Sequence, residues 1–258
     1  MKKLIIISAV ISAAFLALFF VLIRNERCNT AVINLRGRVS TSDDGSTYDD
    51  EESYYAVSSA RIAGEIDKLK DRSNIRALIL DVDSEGGSVV AAEEIFNALE
   101  RLTIPTVALV RDGAFSAAYT AMSAADKIFL QRSSQVGAIG VTASYLANYE
   151  KNAKEGISFQ SLTSAKFKDL LDPNKPLTEE EKKLLQGIIN DMHENVVTTI
   201  AQGRGMSVDE ARSLADGSIY VGEKAIEKKL ADSIGGMKEA KEYLQTVAGT
   251  EVKLCVAF

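Results

Sequence analysis

Ala77-Leu78-Ile79-Leu80-Asp81-Val82 runs directly into Asp83-Ser84-Glu85-Gly86-Gly87-Ser88. The first six residues, almost all apolar and bounded by turn residues, read as a buried strand. The Gly-Gly pair that follows reads as a tight exit into a helix. A second junction of the same kind comes next. Pro105 opens Thr106-Val107-Ala108-Leu109-Val110, which runs into Asp112-Gly113-Ala114-Phe115-Ser116-Ala117-Ala118-Tyr119. Each junction puts backbone N–H groups, and in the second case a serine hydroxyl, at the carboxyl end of a parallel sheet. That edge is where open α/β folds bind ligands.

The flanking segments extend the pattern in both directions. Residues 31–39 predict a strand, and residues 54–70 a helix with Ala60, Ile62, Ile66 and Leu69 roughly on one face. Strand 76–82 leads to a helix over about 88–101. A helix starts near Ser116, and short strands are expected at 127–131 and 136–141. This alternation implies βαβ units and a mainly parallel sheet. The C-terminal third reads as helical. Thr178-Glu179-Glu180-Glu181 is a capping box opening a helix to about Gln202, and Ser207-Val208-Asp209-Glu210 is a second, with Gly203 and Gly205 punctuating the gap.

The 258 residues accommodate a membrane segment and one α/β domain. Leu4 to Ile23 is twenty residues without a charge, flanked by Lys2-Lys3 and by Arg24 and Arg27. At about 1.5 Å per residue it spans about 30 Å, the thickness of a bilayer's hydrocarbon core. It ends in Ile23-Arg24-Asn25-Glu26, with no small-x-small cleavage site, so residues 1–27 are expected to form an uncleaved anchor and 28–258 the folded domain. The flanking charges lean toward a cytoplasmic N-terminus with the domain on the outer side of the membrane. Lys2, Lys3, Arg24, Arg27 and Glu26 precede residue 28, so the remaining chain holds 26 basic against 35 acidic residues, a net of −9. Such a surface disfavours nucleic acid and anionic lipid. An acidic stretch at about 40–53 reads as a solvated loop, and the two cysteines, Cys28 and Cys255, do not amount to a disulfide framework and leave the redox compartment open.

A glycine-walled site beside a serine suits acyl transfer, because glycines let a carbonyl approach backbone N–H groups and a hydroxyl supplies the nucleophile. Each residue also has a plainer reading. Gly86-Gly87 serves any tight turn, and Ser116 stands where an N-cap is expected. The single histidine, His193, lies mid-helix beside Glu194 and reads as a packed or surface residue. A base would then be a lysine, which must be held neutral. Lowering a lysine from about 10.4 to near 7 needs about 4–5 kcal/mol of bias against the charge, which apolar burial can supply. Lys168, flanked by Phe167, Leu170 and Leu171, suits this, but Lys166 lies two residues away and residue chemistry alone does not choose between them.

From about residue 31 to 240 the chain resembles the signal peptide peptidase A family, membrane-anchored serine proteases of the superfamily that includes the Clp proteolytic subunit and crotonase. The matching stretches are Asp83-Ser84-Glu85-Gly86-Gly87-Ser88, Ser116-Ala117-Ala118-Tyr119, Ala124-Ala125-Asp126-Lys127-Ile128, Val136-Gly137-Ala138-Ile139-Gly140-Val141, Ser164-Ala165-Lys166-Phe167-Lys168-Asp169, Gly203-Arg204-Gly205-Met206 and Ala215-Asp216-Gly217. The resemblance implies a Clp/crotonase-like ββα-superhelix domain with a mainly parallel sheet, Ser116 as nucleophile, Lys168 as general base, and Gly87 with Ala117 as the oxyanion hole. It implies hydrophobic peptide substrates, including cleaved signal peptides, no cofactor or metal, and a ring-like homo-oligomer. The setting it implies is a bacterial-type inner membrane. The chain departs from the family in two places: Glu85 replaces the proline that usually precedes Gly-Gly, and Ala117-Ala118 replaces the Gly-Gly that usually follows the serine. The alternatives are a crotonase-like acyl-CoA enzyme and a non-catalytic membrane scaffold.

Overall fold

A computed structural model describes residues 28–42 and 56–255. The expected anchor, most of the acidic stretch and the last three residues lie outside these. Among the described residues no helix is long and apolar enough to cross a membrane. Four strands form the centre of the sheet: β1 (Thr30–Ser40), β3 (Ala77–Gly87), β4 (Thr106–Phe115) and β5 (Lys127–Leu130). With β2 (Ala56–Ser58) and β8 (Ser233–Ile234) at the edges, the order is β2-β1-β3-β4-β5-β8, and all of these pairings are parallel. The expectation of a mainly parallel α/β sheet therefore holds.

Side chains alternate across this sheet and feed two cores. Leu78, Leu80 and Val82 of β3, with Ala108 and Val110 of β4, pack with α1 (Ser59–Leu69), α2 (Val89–Glu100), α3 (Ala117–Met122) and the end of α5 (Glu179–Arg204). Ala77, Ile79, Val107, Leu109 and Phe129 face the other way, onto Ala240 and Leu244 of α8 (Met237–Ala248). Helices on both faces explain why β3 reads as an unbroken apolar run.

β3 and β4 continue well past the apolar stretches that mark them in the sequence. The β1–β3 and β3–β4 registers shift near Asp83, and beyond Val110 β4 exchanges β5 for β6 (Gln135–Gly137). β6 in turn pairs antiparallel with β7 (Ile219–Val221). Here Asp83, Glu85, Arg111 and Asp112 replace the apolar pattern, which is why the sequence reading stopped these strands short. Beyond the cover of α8, Asp81 is buried and bound by Arg111 through Nε (2.6 Å) and Nη2 (2.8 Å), and by Arg36 Nη2 at 2.9 Å.

Gly203 corrects one expectation. It does not punctuate a gap but lies inside α5, where a Cβ would come within 2.6 Å of the Ser123 carbonyl oxygen. It is a contact point between α5 and α3. Gly205 is the helix's left-handed C-cap. Between them Arg204 reaches Asp232 at 2.8 Å and the Lys229 carbonyl at 3.0 Å. Two short elements, α6 (Val208–Ser213) and α7 (Gly222–Glu227), complete the C-terminal region.

Cys28 and Cys255 form a disulfide across 227 residues. The segment before Cys255 runs beside the start of β1, with Thr30 N donating to the Lys253 carbonyl and Cys255 N to the Thr30 carbonyl. The bond therefore ties the beginning of the domain to its end. Bonds of this kind persist in oxidising compartments.

Closing so long a loop constrains the unfolded chain, so reduction should cost about 2–5 kcal/mol. Urea unfolding with and without reductant measures this, and an unchanged midpoint would contradict it. Asp81 sets a second expectation. Burial raises its carboxyl pKa, but the hydrogen bond and charge of Arg111, with Arg36, outweigh that and hold it below 3.8. A depressed carboxylate stabilises the fold above its unfolded pKa and loses that contribution as pH falls through the folded value. Unfolding free energy should therefore drop on acidification below about pH 4, and Asp81→Asn should flatten that drop.

Candidate active site

Ser116 ends β4 and precedes α3. Its side chain makes no capping bond, although it occupies the N-cap position. Its backbone stands at φ 49°, ψ −120°. A non-glycine residue at such angles carries strain of order 1–3 kcal/mol, and such residues cluster at functional sites. The N-cap reading of Ser116 is thus set aside: the turn is sharp, and the hydroxyl is left unspent.

Neighbouring backbone enforces the turn. Ser116 N donates to the Gly137 carbonyl at 2.8 Å, and Ala138 N donates to the Ser218 carbonyl at 2.8 Å. The Ser116 amide is therefore occupied. The next amide, that of Ala117, opens α3, where an N–H has no partner within its own helix. Downstream, Tyr119 is fully buried and donates its hydroxyl to the Leu230 carbonyl at 3.0 Å, fixing α3 from below. Thr106 and Asp126 bind each other through three hydrogen bonds that brace the return from α3 to β5.

The Gly-Gly turn packs against this point. A Cβ on Gly86 would lie 2.7 Å from the Phe115 oxygen, 3.0 Å from Ser116 Cβ and 3.1 Å from Ala117 N. Gly86 has φ 101°, and Gly87, at φ 153°, is walled by Val39, whose oxygen would be 2.1 Å from an added Cβ. Both glycines are therefore required by contact as well as by conformation. Ser84 holds the strand end by donating to the Gly37 carbonyl and accepting from Gly86 N. Of the residues expected at the site, Ser116 and Ala117 meet at Gly86, whose neighbour Gly87 packs on Val39. Ala117 and Ala118 both belong to the buried core, and Glu85 is exposed beside the cluster.

The lysines lie elsewhere in the chain, on a segment of turns between α4 (Tyr149–Lys154) and α5. Lys166 pairs with Glu180 at 2.5 Å. Lys175 bridges Asp169 at 3.0 Å and Glu181 at 2.5 Å. Lys168 is exposed, and among the described residues its amine makes no hydrogen bond or ion pair. Within one chain no hydrogen bond joins it to Ser116. His193 is part-exposed on α5, away from any role in this cluster. Among the described residues no group of three or more His, Cys, Asp or Glu is placed to hold a metal ion. A groove of about 380 Å³ lies between Phe167 and the first turns of α5, lined by Leu184, Gly187 and Ile188, and not at Ser116. Two contributors escaped the sequence reading. Gly137 acts through its carbonyl, which no composition signal marks, and Glu181 reads from sequence only as a helix cap.

The profile of Peptidase family S49 matches residues 98–251. A protein of Methanocaldococcus jannaschii named a "putative protease" is 34% identical over 185 residues, 71% of this chain and 60% of that protein. An Enterococcus faecium protein named a "putative signal peptide peptidase SppA" is 30% identical over 184 residues, 70% of this chain and 54% of that protein. A chloroplastic serine protease SPPA of Arabidopsis thaliana is 26% identical over 188 residues, 72% of this chain and 28% of that protein. The matched region thus spans little more than half of the first two relatives.

Strain at Ser116 makes a prediction independent of any assay. Glycine tolerates φ 49° and alanine does not, so Ser116→Gly should be about 1 kcal/mol more stable than Ser116→Ala. Thermal melts of the two variants measure the difference, and a more stable alanine variant would contradict the strain.

Proposed function

The chain belongs to peptidase family S49, and on that footing we propose that it is a membrane-tethered serine endopeptidase acting through Ser116 and Lys168. The Lys168 amine, uncharged, takes the proton of the Ser116 hydroxyl as its oxygen attacks a peptide carbonyl. The developing oxyanion is met by the amides of Ala117 and Gly87. The protonated amine then gives its proton to the leaving nitrogen, and water resolves the acyl-enzyme by the same route in reverse. Membership in a peptidase family weighs against the acyl-CoA alternative.

The observation that carries this reading is the backbone of Ser116, held at φ 49° with its hydroxyl released from capping and the Ala117 amide beside it. Nothing in an N-cap role calls for that strain. The choice of Lys168 over its neighbours rests on their occupation: Lys166 and Lys175 are each bound to carboxylates. A carboxylate beside an amine favours its charged form and so disfavours it as a base.

A lysine base must also be dry, and in a single chain Lys168 is exposed. The reading therefore includes a second copy covering it, in a ring-like homo-oligomer. Support comes from the same segment, which carries Ile157 (55% exposed) and Leu162 (102%), with Leu146 (87%) just before α4. Large apolar side chains exposed together mark surfaces that a partner covers. The apolar run Leu4–Ile23 and the disulfide support tethering with the domain on the outer, oxidising side. Substrates would be hydrophobic peptides near the membrane, remnant signal peptides among them. Glu85, exposed next to Gly86, would disfavour acidic ones.

Cleavage of a quenched apolar peptide by the detergent-solubilised full chain tests the proposal. Ser116→Ala and Lys168→Ala should each lower kcat by about 10³-fold or more, whereas Lys166→Ala should leave it largely intact. A dead Lys166→Ala with an active Lys168→Ala would reassign the base, and full turnover by Ser116→Ala would sink the serine mechanism.

A further inference from the structure

The segment that carries Lys168 contains no helix or strand between Lys154 and Glu179, and it is not held by a core. Most of its residues are exposed, and its apolar side chains Ile157 and Leu162 point outward. Its shape must come from turns and polar contacts. The turns are short: Lys168 N donates to the Ala165 carbonyl and Asp172 N to the Asp169 carbonyl, while Leu171 adopts φ 66°. Such turns do not by themselves select one arrangement.

One polar network gathers the segment. Lys175 Nζ sits between Asp169 Oδ1 and Glu181 Oε1, at 3.0 and 2.5 Å. The other oxygen of Asp169 accepts from the Ser161 hydroxyl at 2.9 Å. The other oxygen of Glu181 accepts from Thr178 N at 2.8 Å and Thr178 Oγ1 at 2.9 Å, at the first turn of α5. The chain of contacts thus runs from Ser161 to the end of a rigid helix, passing through the residue that follows Lys168. It is better shielded than the ion pairs around it. The side chains of Lys175, Asp169 and Glu181 are 21%, 18% and 4% exposed, against 64% and 59% for Lys166 and Glu180. Exposed pairs contribute little, while a shielded three-member network with a shared cation fixes geometry.

We propose that Lys175 is a positioning residue, whose ammonium locks Asp169 to Glu181 and thereby holds the Lys168 turn in the arrangement that proton transfer requires. This rests on Lys168 being the base. Protonation is consistent with it. The hydrogen bond to Glu181, then that to Asp169, raises the Lys175 pKa, and bonds from Lys175 lower those of both carboxyls. Lys175 therefore stays charged under alkaline conditions that favour an uncharged base nearby. The two lysines, seven positions apart, take opposite roles because one is bracketed by carboxylates and the other is not.

Steady-state hydrolysis of the quenched apolar peptide by the full chain tests this with Lys175→Met, Lys175→Arg and Asp169→Asn, beside Lys168→Ala. Lys175→Met should lower kcat by about 100-fold with KM within about threefold, since misplacement of the base by about 1 Å weakens the chemical step and not substrate binding. Lys175→Arg, which keeps a cation between the two carboxylates, should recover most of the loss. Asp169→Asn leaves the Lys175–Glu181 pair at α5 intact yet uncouples the Lys168 turn, so it should show the same fall in kcat even if Lys175→Met fails to fold. Near-normal kcat in Asp169→Asn, or a folded Lys175→Met with unchanged kcat, would overturn the proposal while a dead Lys168→Ala left the dyad standing. An active Lys168→Ala would overturn both.

Discussion

Ser116 is held in a backbone conformation it would not choose, and the surroundings of the site are arranged to keep it there. A serine at φ 49°, ψ −120° is strained by itself. The restraint comes from three sides. Gly137 receives its amide, Gly86 packs on its Cβ, and the buried hydroxyl of Tyr119 pins the helix that follows to the Leu230 carbonyl. Each restraint uses backbone or a fully buried group, so none yields cheaply. Ala138, at φ 48°, carries the same kind of strain beside it, and both rest on the hydrogen-bonded frame of the sheet beneath.

The sheet supplies that rigidity by changing partners. β4 leaves β5 for β6 after Val110, and β3 shifts register against both neighbours near Asp83. Irregularities of this kind bend strands and re-aim what lies at their ends. Here they bring the Gly-Gly exit of one strand against the serine exit of the next. Asp81, gripped by two arginines just before the shift, sets charge where hydrophobic packing under α8 has run out.

What the sequence disclosed, and what it hid, follows from the range of each interaction. The two strand-to-helix junctions and the Thr178 cap were legible because each rests on neighbours within a few positions, and the parallel sheet because strands and helices alternate along the chain. The far halves of β3 and β4 were not. Asp83, Glu85, Arg111 and Asp112 break the apolar pattern while the backbone still pairs. Gly203 read as a helix stop because a missing side chain looks the same whether it ends a helix or admits Ser123. The Cys28–Cys255 bond joins residues 227 positions apart, and two cysteines alone carry no information about proximity. The site divides the same way. Ser116, Ala117 and Gly87 belong to local motifs, whereas the distinction among Lys166, Lys168 and Lys175 depends on which carboxylates fold back to meet them.

Two halves of the proposed chemistry are therefore built on opposite principles. The nucleophile's half is tied by backbone bonds and close packing within one chain. The base's half is a polar-bound run of turns with its apolar side chains turned outward. Lys168 is exposed on that segment. Only when another surface removes water from it does proton abstraction from a serine become favourable. Under the proposed reading, activity would arise on assembly, and an isolated chain near the membrane would hold a strained serine with no competent base. On that reading the network through Lys175 would preset the segment's shape before a second copy covers it, so that covering the amine and aligning it would occur in one step.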